Sequence, residues 1–356
     1  MQQKLVFDLI PTPENNRNSE GSFLRAPNGD ILFAYSRYAT NDLTDHAPCD
    51  IAMVRSSDEG ETWSAPVIIV RAEQFGVDNV MSVSGLPLRD GSLCFWFLIK
   101  ENDGTVTIGR AVSADGLNFT AERCDCRFPR AYYVVNNDRA IRLADGRVAF
   151  PAARHDGFGP LDLKYHLGPA SDLVFLSDDD GKTLWASQND VRFDCPANRF
   201  KGLQEPGVYQ KKDGSFYLWA RTDLGRQYEF FSDDLNVFTA SRPSEFTGPC
   251  SPLELFADGD DLYAVYNPVP RYNGSTRTEW GWGRTPLVIR KSTDDGETWG
   301  TLNVIEDDPD RGYCYPALFA TNDGCLLVSY CRGGREDGVC LARLGIMKIK
   351  KESIEQ

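Results

Sequence analysis

A chain of 356 residues, 41% hydrophobic and 12% aromatic, can bury a large core and is not a disordered polymer. Its formal charge of −14 sets it against nucleic acid or an anionic membrane as main partner, yet leaves room for a small anion held by a local arginine cluster. The first residues lack the cationic and apolar regions of an export signal, and the most apolar run, Cys94–Ile99, is too short to span a bilayer. A cytoplasmic protein with mostly reduced cysteines is therefore expected.

In chain order, the first strand-like run is Lys4–Ile10, which has no repeat unit of its own. Next come six hairpin signals, at Asn28-Gly29, Asp90-Gly91, Asp145-Gly146, Asp213-Gly214, Asp258-Gly259 and Asp323-Gly324, each between two strand-like runs. Between them recurs a motif that reads S-x-D-x-G-x-T-W at Ser56–Trp63 and again at Ser292–Trp299. Ser177–Trp185 carries one extra residue, and Ser113–Phe119 and Ser232–Phe238 are worn copies ending in Phe. Asp and Gly suit a tight turn and the aromatic suits a sheet edge, so the motif is structural. A period of roughly 60 residues implies six units. No amphipathic helix is evident. The expectation is one all-β domain over residues 1–356: a six-bladed β-propeller, four antiparallel strands per blade, closed by the N-terminal strand beside Val339–Ile349.

The repeat register carries functional information. Nine residues before each turn glycine stand Glu20, Ser82, Asn137, Glu205, Cys250 and Tyr315. Equivalent positions with different, mostly polar side chains suggest a ligand-facing ring. Seven to nine residues beyond each glycine stand Arg37, Lys100, Arg154, Arg221, Asn267 and Arg332, five of them cations suited to binding a carboxylate. His155 follows Arg154 and is placed to reach the same mouth; His46 has similar standing, and His166 has no case.

Five further stretches complete the picture: RNSEG at Arg17–Gly21, NNDRAIRLADGR at Asn136–Arg147, QEP at Gln204–Pro206 followed by Ala220-Arg221-Thr222, RTPL at Arg284–Leu287, and YCYPALF at Tyr313–Phe319. With the turn motifs, these make the chain resemble the sialidase-like Asp-box (BNR-repeat) proteins from Arg17 to about Arg332. The resemblance implies an exo-α-sialidase-like glycoside hydrolase that retains anomeric configuration and acts on a terminal acidic sugar. It implies Tyr315 as nucleophile, Glu205 as its activator, and Arg221 and Arg284 as two carboxylate-binding arginines. A tyrosine suits this chemistry because a neutral phenol can approach an anomeric carbon that bears a carboxylate. For the acid/base the choice is Asp45, with Asp42 and Asp50 in the same loop.

The first blade departs from the family pattern. Ser19-Glu20-Gly21 stands where sialidases carry Arg-Ile-Pro. Arg17 is two residues away and can substitute, and Arg37 can help. Glu20 puts a carboxylate beside the expected substrate carboxylate, so another sugar acid or a neutral sugar becomes an alternative. A polysaccharide lyase acting on uronates and a carbohydrate-binding propeller without catalysis remain as further readings. The predicted substrate-binding set is Arg17, Glu20, Arg37, Asn137, Arg154, His155, Arg221 and Arg284. Cys124 and Cys126 form a C-x-C without a matching second pair, and there is no G-x-S-x-G, P-loop or H-E-x-x-H, so no metal or cofactor is implied.

Overall fold

The computed structural model describes residues 1–39, 43–155, 169–193, 201–270 and 280–356. Six small sheets stand around a central channel. The first blade is Arg17–Arg25, Ile31–Tyr38, Cys49–Ser56 and Val67–Val70, each pairing antiparallel with the next. The second (Val80–Pro87, Leu93–Lys100, Val106–Ser113, Thr120–Arg123) and fourth (Gln204–Gln210, Phe216–Arg221, Arg226–Ser232, Arg242–Thr247) repeat that plan. So does the fifth, Glu254–Asp258, Asp261–Tyr266, Leu287–Ser292 and Asn303–Glu306.

The sixth blade closes the ring. It contains Cys314–Ala320, Cys325–Cys331 and Leu344–Lys350, and its outer strand is Gln3–Leu9 from the N-terminus. The carboxylate of Asp8, bonded by Arg332 and Arg343, fixes that joint. Closure completes the sixth blade, and each sheet keeps only short edges, the inner one facing the channel. The expected pairing of the first strand with the last is therefore present.

The third blade differs from the four-strand expectation. Its inner strand is split into Tyr132–Val134 and Ile141–Arg142, both paired with Val148–His155, and the short strand Asp125–Arg127 adds in parallel to Thr183–Ala186. The break falls at Asn136-Asn137-Asp138, where the chain turns into the channel and Asp138 takes φ 57°.

The turn motifs are turn clamps, as their composition suggests. Ser56 donates to Asp58 at 2.8 Å, Asp58 accepts the Thr62 amide at 2.9 Å, and the Trp63 indole donates to the Gly60 carbonyl at 3.1 Å. Equivalent Ser–Asp bonds recur at Ser113, Ser177, Ser232 and Ser292. Inter-blade packing is apolar: Phe95, Phe97 and Val83 meet Leu32 and Met53 between blades one and two, and Val328 and Leu326 meet Val265 and Ile289 between blades six and five.

Candidate functional site

The inner strands of four blades carry a bulge at the same place. Pairing slips between Ser19 and Ser22, Met81 and Ser84, Gln204 and Gly207, and Cys314 and Ala317. The residue inside each slip is left-handed: Glu20 at φ 57°, Ser82 at 57°, Glu205 at 48° and Tyr315 at 54°. A non-glycine residue rarely adopts this conformation, and several at equivalent positions mark a built site. The bulge adds one residue to the inner strand and re-aims its side chain. Thus four of the six register positions read from sequence coincide with it. In the third blade the left-handed residue is Asp138, one position later than Asn137. In the fifth blade Cys250 precedes the inner strand, which starts at Glu254 after Pro249 and Pro252, residues that donate no backbone hydrogen bond.

Two charge clusters form from these positions. In the first, the Tyr315 hydroxyl donates to Glu205 Oε1 at 2.9 Å. Arg221 Nη1 lies 2.8 Å from Glu205 Oε2 and 3.4 Å from the Tyr315 oxygen, and its Nη2 donates to Gln204 at 3.1 Å. The Arg284 guanidinium carbon is 5.5 Å from the Tyr315 ring centre and 5.0 Å from that of Trp282. Arg284 donates to the Cys250 carbonyl at 3.1 Å; its Nε and Nη1, and Nε of Arg221, are buried with no hydrogen-bond partner among the described residues. Unsatisfied buried guanidinium donors are costly, and an anionic ligand would satisfy them. Burial, then the Glu205 charge, holds the Tyr315 phenol well above its ordinary pKa against Arg221 and Arg284, so the resting phenol is neutral.

In the second cluster, Arg17 is fully buried. It pairs with Asp45 Oδ1 at 2.7 Å and Glu20 Oε2 at 3.5 Å, donates to the Leu43 carbonyl at 3.0 Å, and lies 4.3 Å from the Tyr38 ring centre. The Lys100 ammonium donates to the Asp45 carbonyl. Desolvation at the mouth opposes the Asp45 charge, but Arg17 and Lys100 outweigh it and hold this carboxyl well below the usual range. Half of the side chain is exposed (54%), which screens part of that attraction. Glu20 goes the other way. Burial, with Asp45 adding to it, raises its pKa to about 7 against Arg17, Ser19 and Lys100.

The remaining predicted residues are placed differently. Asn137 is buried in the channel, where its Nδ2 donates to the carbonyls of Gly21 (2.9 Å), Tyr315 (3.4 Å) and Pro316 (3.3 Å); it ties blades one, three and six together through backbone. Arg154 is bound to Asp190 at 2.6 Å, and Arg332 to Asp8 and Glu306, so the expected cationic collar is divided among acids of neighbouring strands. Arg37 is half-buried opposite Asn18 and Asp50 in its sheet. His155 is buried, its ring 5.9 Å from that of Tyr132, with His46 at 6.2 Å from the same ring. Asp50 accepts the Ala72 amide at 2.8 Å. Asp42 and His166 lie outside the described residues. Sequence reading placed Lys100 in the cationic set and Gln204 in QEP without their bonds to the Asp45 carbonyl and Arg221, and missed Tyr38 and Trp282. Trp282 left a signal, as an aromatic between two glycines in GWGR that adopts φ 54°.

A further open space lies elsewhere. A cavity of about 540 Å³ sits at the far end of the channel, lined by Phe23, Leu86, Trp219, Phe256 and Phe319. The buried Arg139–Glu254 pair is part of its lining.

The BNR repeat-like domain family matches residues 44–328. The chain belongs to that family. Among curated proteins none matches. Among solved structures, a protein of unknown function from Dyadobacter fermentans is 18% identical with a TM-score of 0.72, covering 98% of this chain and 99% of that one. The Hadza microbial sialidase Hz136 is 16% identical with a TM-score of 0.73, covering 95% and 66%. The NanB sialidase of Streptococcus pneumoniae is 12% identical with a TM-score of 0.70, covering 99% and 71%. The BNR chain thus shares the sialidase-like six-bladed fold, and at these identities the likeness speaks for fold alone.

Proposed function

We propose that this BNR-family protein is a retaining exo-glycosidase acting on a terminal sugar that carries an acidic group. The observation that carries this reading is the Tyr315–Glu205 hydrogen bond with Arg221 joined to both members. A phenol held neutral beside a carboxylate base is a nucleophile awaiting its proton's removal. Glu205 takes that proton as Tyr315 attacks the anomeric carbon. The positive charges of Arg221 and Arg284 beside Tyr315 then attract the acidic group. Sialidases among the structural neighbours favour sialic acid or a related sugar acid as the first candidates.

Arg17 does not stand free as a third arm. It is closed off by Asp45 and Glu20, so the cradle has two arginines. That arrangement favours a substrate held by two guanidinium groups rather than three.

The test is a panel of 4-nitrophenyl glycosides of N-acetylneuraminate, glucuronate, galacturonate and neutral sugars, with NMR identification of the first anomer released. Release of 4-nitrophenol from an acidic glycoside with retained configuration supports the reading. An unsaturated uronate absorbing in the ultraviolet would establish a lyase instead. Binding without turnover across the panel would establish a lectin-like role.

A further inference from the structure

The retaining mechanism needs a second group, one that protonates the departing oxygen and later removes a proton from water. Sequence resemblance points to the loop acid Asp45, yet its carboxylate is committed to Arg17 at 2.7 Å beside Lys100. Glu20 stands at the same bulged register as Tyr315 and Glu205, on the inner strand next to that of Tyr315 around the ring. Its two oxygens are not equivalent. Oε2 accepts from Ser19 Oγ at 3.0 Å and faces Arg17 Nη2 at 3.5 Å, whereas Oε1 has no hydrogen-bond partner among the described residues. One oxygen is anchored and the other is left for a ligand.

We propose that Glu20, not Asp45, is the proton donor and acceptor at the leaving group; this rests on the glycosidase reading above. In the first step Tyr315 Oη bonds to the anomeric carbon and its proton passes to Glu205. The bond to the leaving oxygen breaks, and that oxygen takes the proton from Glu20 Oε1. In the second step a water bonds to the anomeric carbon and gives its proton to Glu20. The Tyr315–sugar bond breaks, and the phenol recovers its proton from Glu205. Asp45 and Arg17 are positioning residues: Arg17 holds Glu20 by Oε2, and the ionised Asp45 disfavours a second negative charge beside it. This is the arrangement in which two carboxyls in one site are driven apart in acidity and so divide acid from base. The groups facing Glu20 are Arg17 and Ser19 on its own strand, Asp45 and Lys100 at the mouth, Tyr38 and Cys49 behind, and Tyr315 and Cys331 from blade six.

Two measurements test this on the full-length protein, using the acidic sugar that the wild type hydrolyses best as its 4-nitrophenyl and methyl glycosides. Substituting Glu20→Gln should slow the methyl glycoside on the order of 10²–10⁴-fold. The 4-nitrophenyl glycoside, whose leaving group needs no proton, should pass through the first step at nearly the wild-type rate, visible as a burst of 4-nitrophenol. The infrared difference spectrum of wild type minus E20Q at pH 6 should contain a carboxylic-acid carbonyl band that vanishes by pH 8. Equal slowing of both glycosides by E20Q without a burst, or the burst pattern in D45N instead, overturns the assignment. So does the absence of the carboxylic-acid band at pH 6. Failure of the wild type to release 4-nitrophenol from any glycoside of the panel overturns the glycosidase reading itself, an outcome separate from either result at Glu20.

Discussion

Tyr315 and Glu205 belong to blades on either side of the fifth, 110 positions apart in sequence, yet their side-chain oxygens lie 2.9 Å apart at the channel mouth. Each is presented by a bulge in the innermost strand of its blade, and each takes a left-handed backbone that only Gly, Asn and Asp adopt readily. The contact therefore joins two strained positions, and Arg221 balances its charge. Four expectations follow from the arrangement around it.

Arg284, which has no carboxylate partner among the described residues, should set the preference for acidic substrates. Arg284→Lys keeps the charge but removes the planar fork, and its buried Nε and Nη1 donors disappear. Loss of charge-assisted bonds costs about 1.5–3 kcal/mol, so kcat/KM for an acidic glycoside should fall roughly 10–100-fold. A neutral glycoside should change little. Steady-state kinetics on matched acidic and neutral substrates measures the difference; equal effects on both would mean that Arg284 does not meet the acidic group.

Glu20 should make the fold less stable as pH rises. Its native pKa, about 7, lies above the ordinary glutamate value of 4.5, so between these limits the folded state holds a proton that the unfolded state has lost. Stability from this group is greatest at pH 4.5 and below, and declines up to pH 7, by about 2–3 kcal/mol between pH 5 and 8. Asp45 acts in a different window: its pKa is depressed, so its contribution is present above about pH 4 and lost as pH falls further. Urea melts of wild type and E20Q at pH 5 and pH 8 isolate the Glu20 part. The wild type should lose stability relative to E20Q on going to pH 8, and parallel behaviour would contradict the raised pKa.

The channel floor should behave as a buried ion pair. Arg139 and Glu254 are nearly inaccessible, Arg139 also donates to the Leu253 carbonyl at 2.6 Å, and its guanidinium carbon is 5.4 Å from the Trp219 ring centre. Arg139→Met alone leaves the Glu254 carboxyl buried without its partner and should cost about 3–5 kcal/mol. Arg139→Met with Glu254→Leu removes both polar groups and should recover most of that loss. Denaturant midpoints of the three proteins give the answer; a double variant no better than the single one would show that the pair is not the source.

Much of the architecture was legible because it is local. Ser56–Trp63 and Ser292–Trp299 advertise their turns within eight residues, and six Gly-containing hairpins fix the number of blades. The same counting found Glu20, Glu205 and Tyr315, since a bulge at a constant distance from a turn preserves register. What could not be read is which charges meet once strands and loops pack. Arg154 is taken by Asp190, and Arg332 by Asp8, 324 positions away in the chain. Arg17 similarly meets Asp45 rather than standing open, and Asn137 turns to backbone carbonyls instead of the mouth. Such pairings depend on how loops fold back on their own blade and, at Asp8, on the ring's closure, and no short-range pattern records them.

The most direct test is the Tyr315→Phe variant, assayed on the best acidic 4-nitrophenyl glycoside with circular dichroism and thermal melting as controls for the fold. Removing one oxygen leaves the ring in place and takes away only the nucleophile and its bond to Glu205. Turnover should fall on the order of 10³-fold or more while the spectrum stays that of the wild type. Wild-type turnover by this variant would contradict the assignment of Tyr315 as nucleophile.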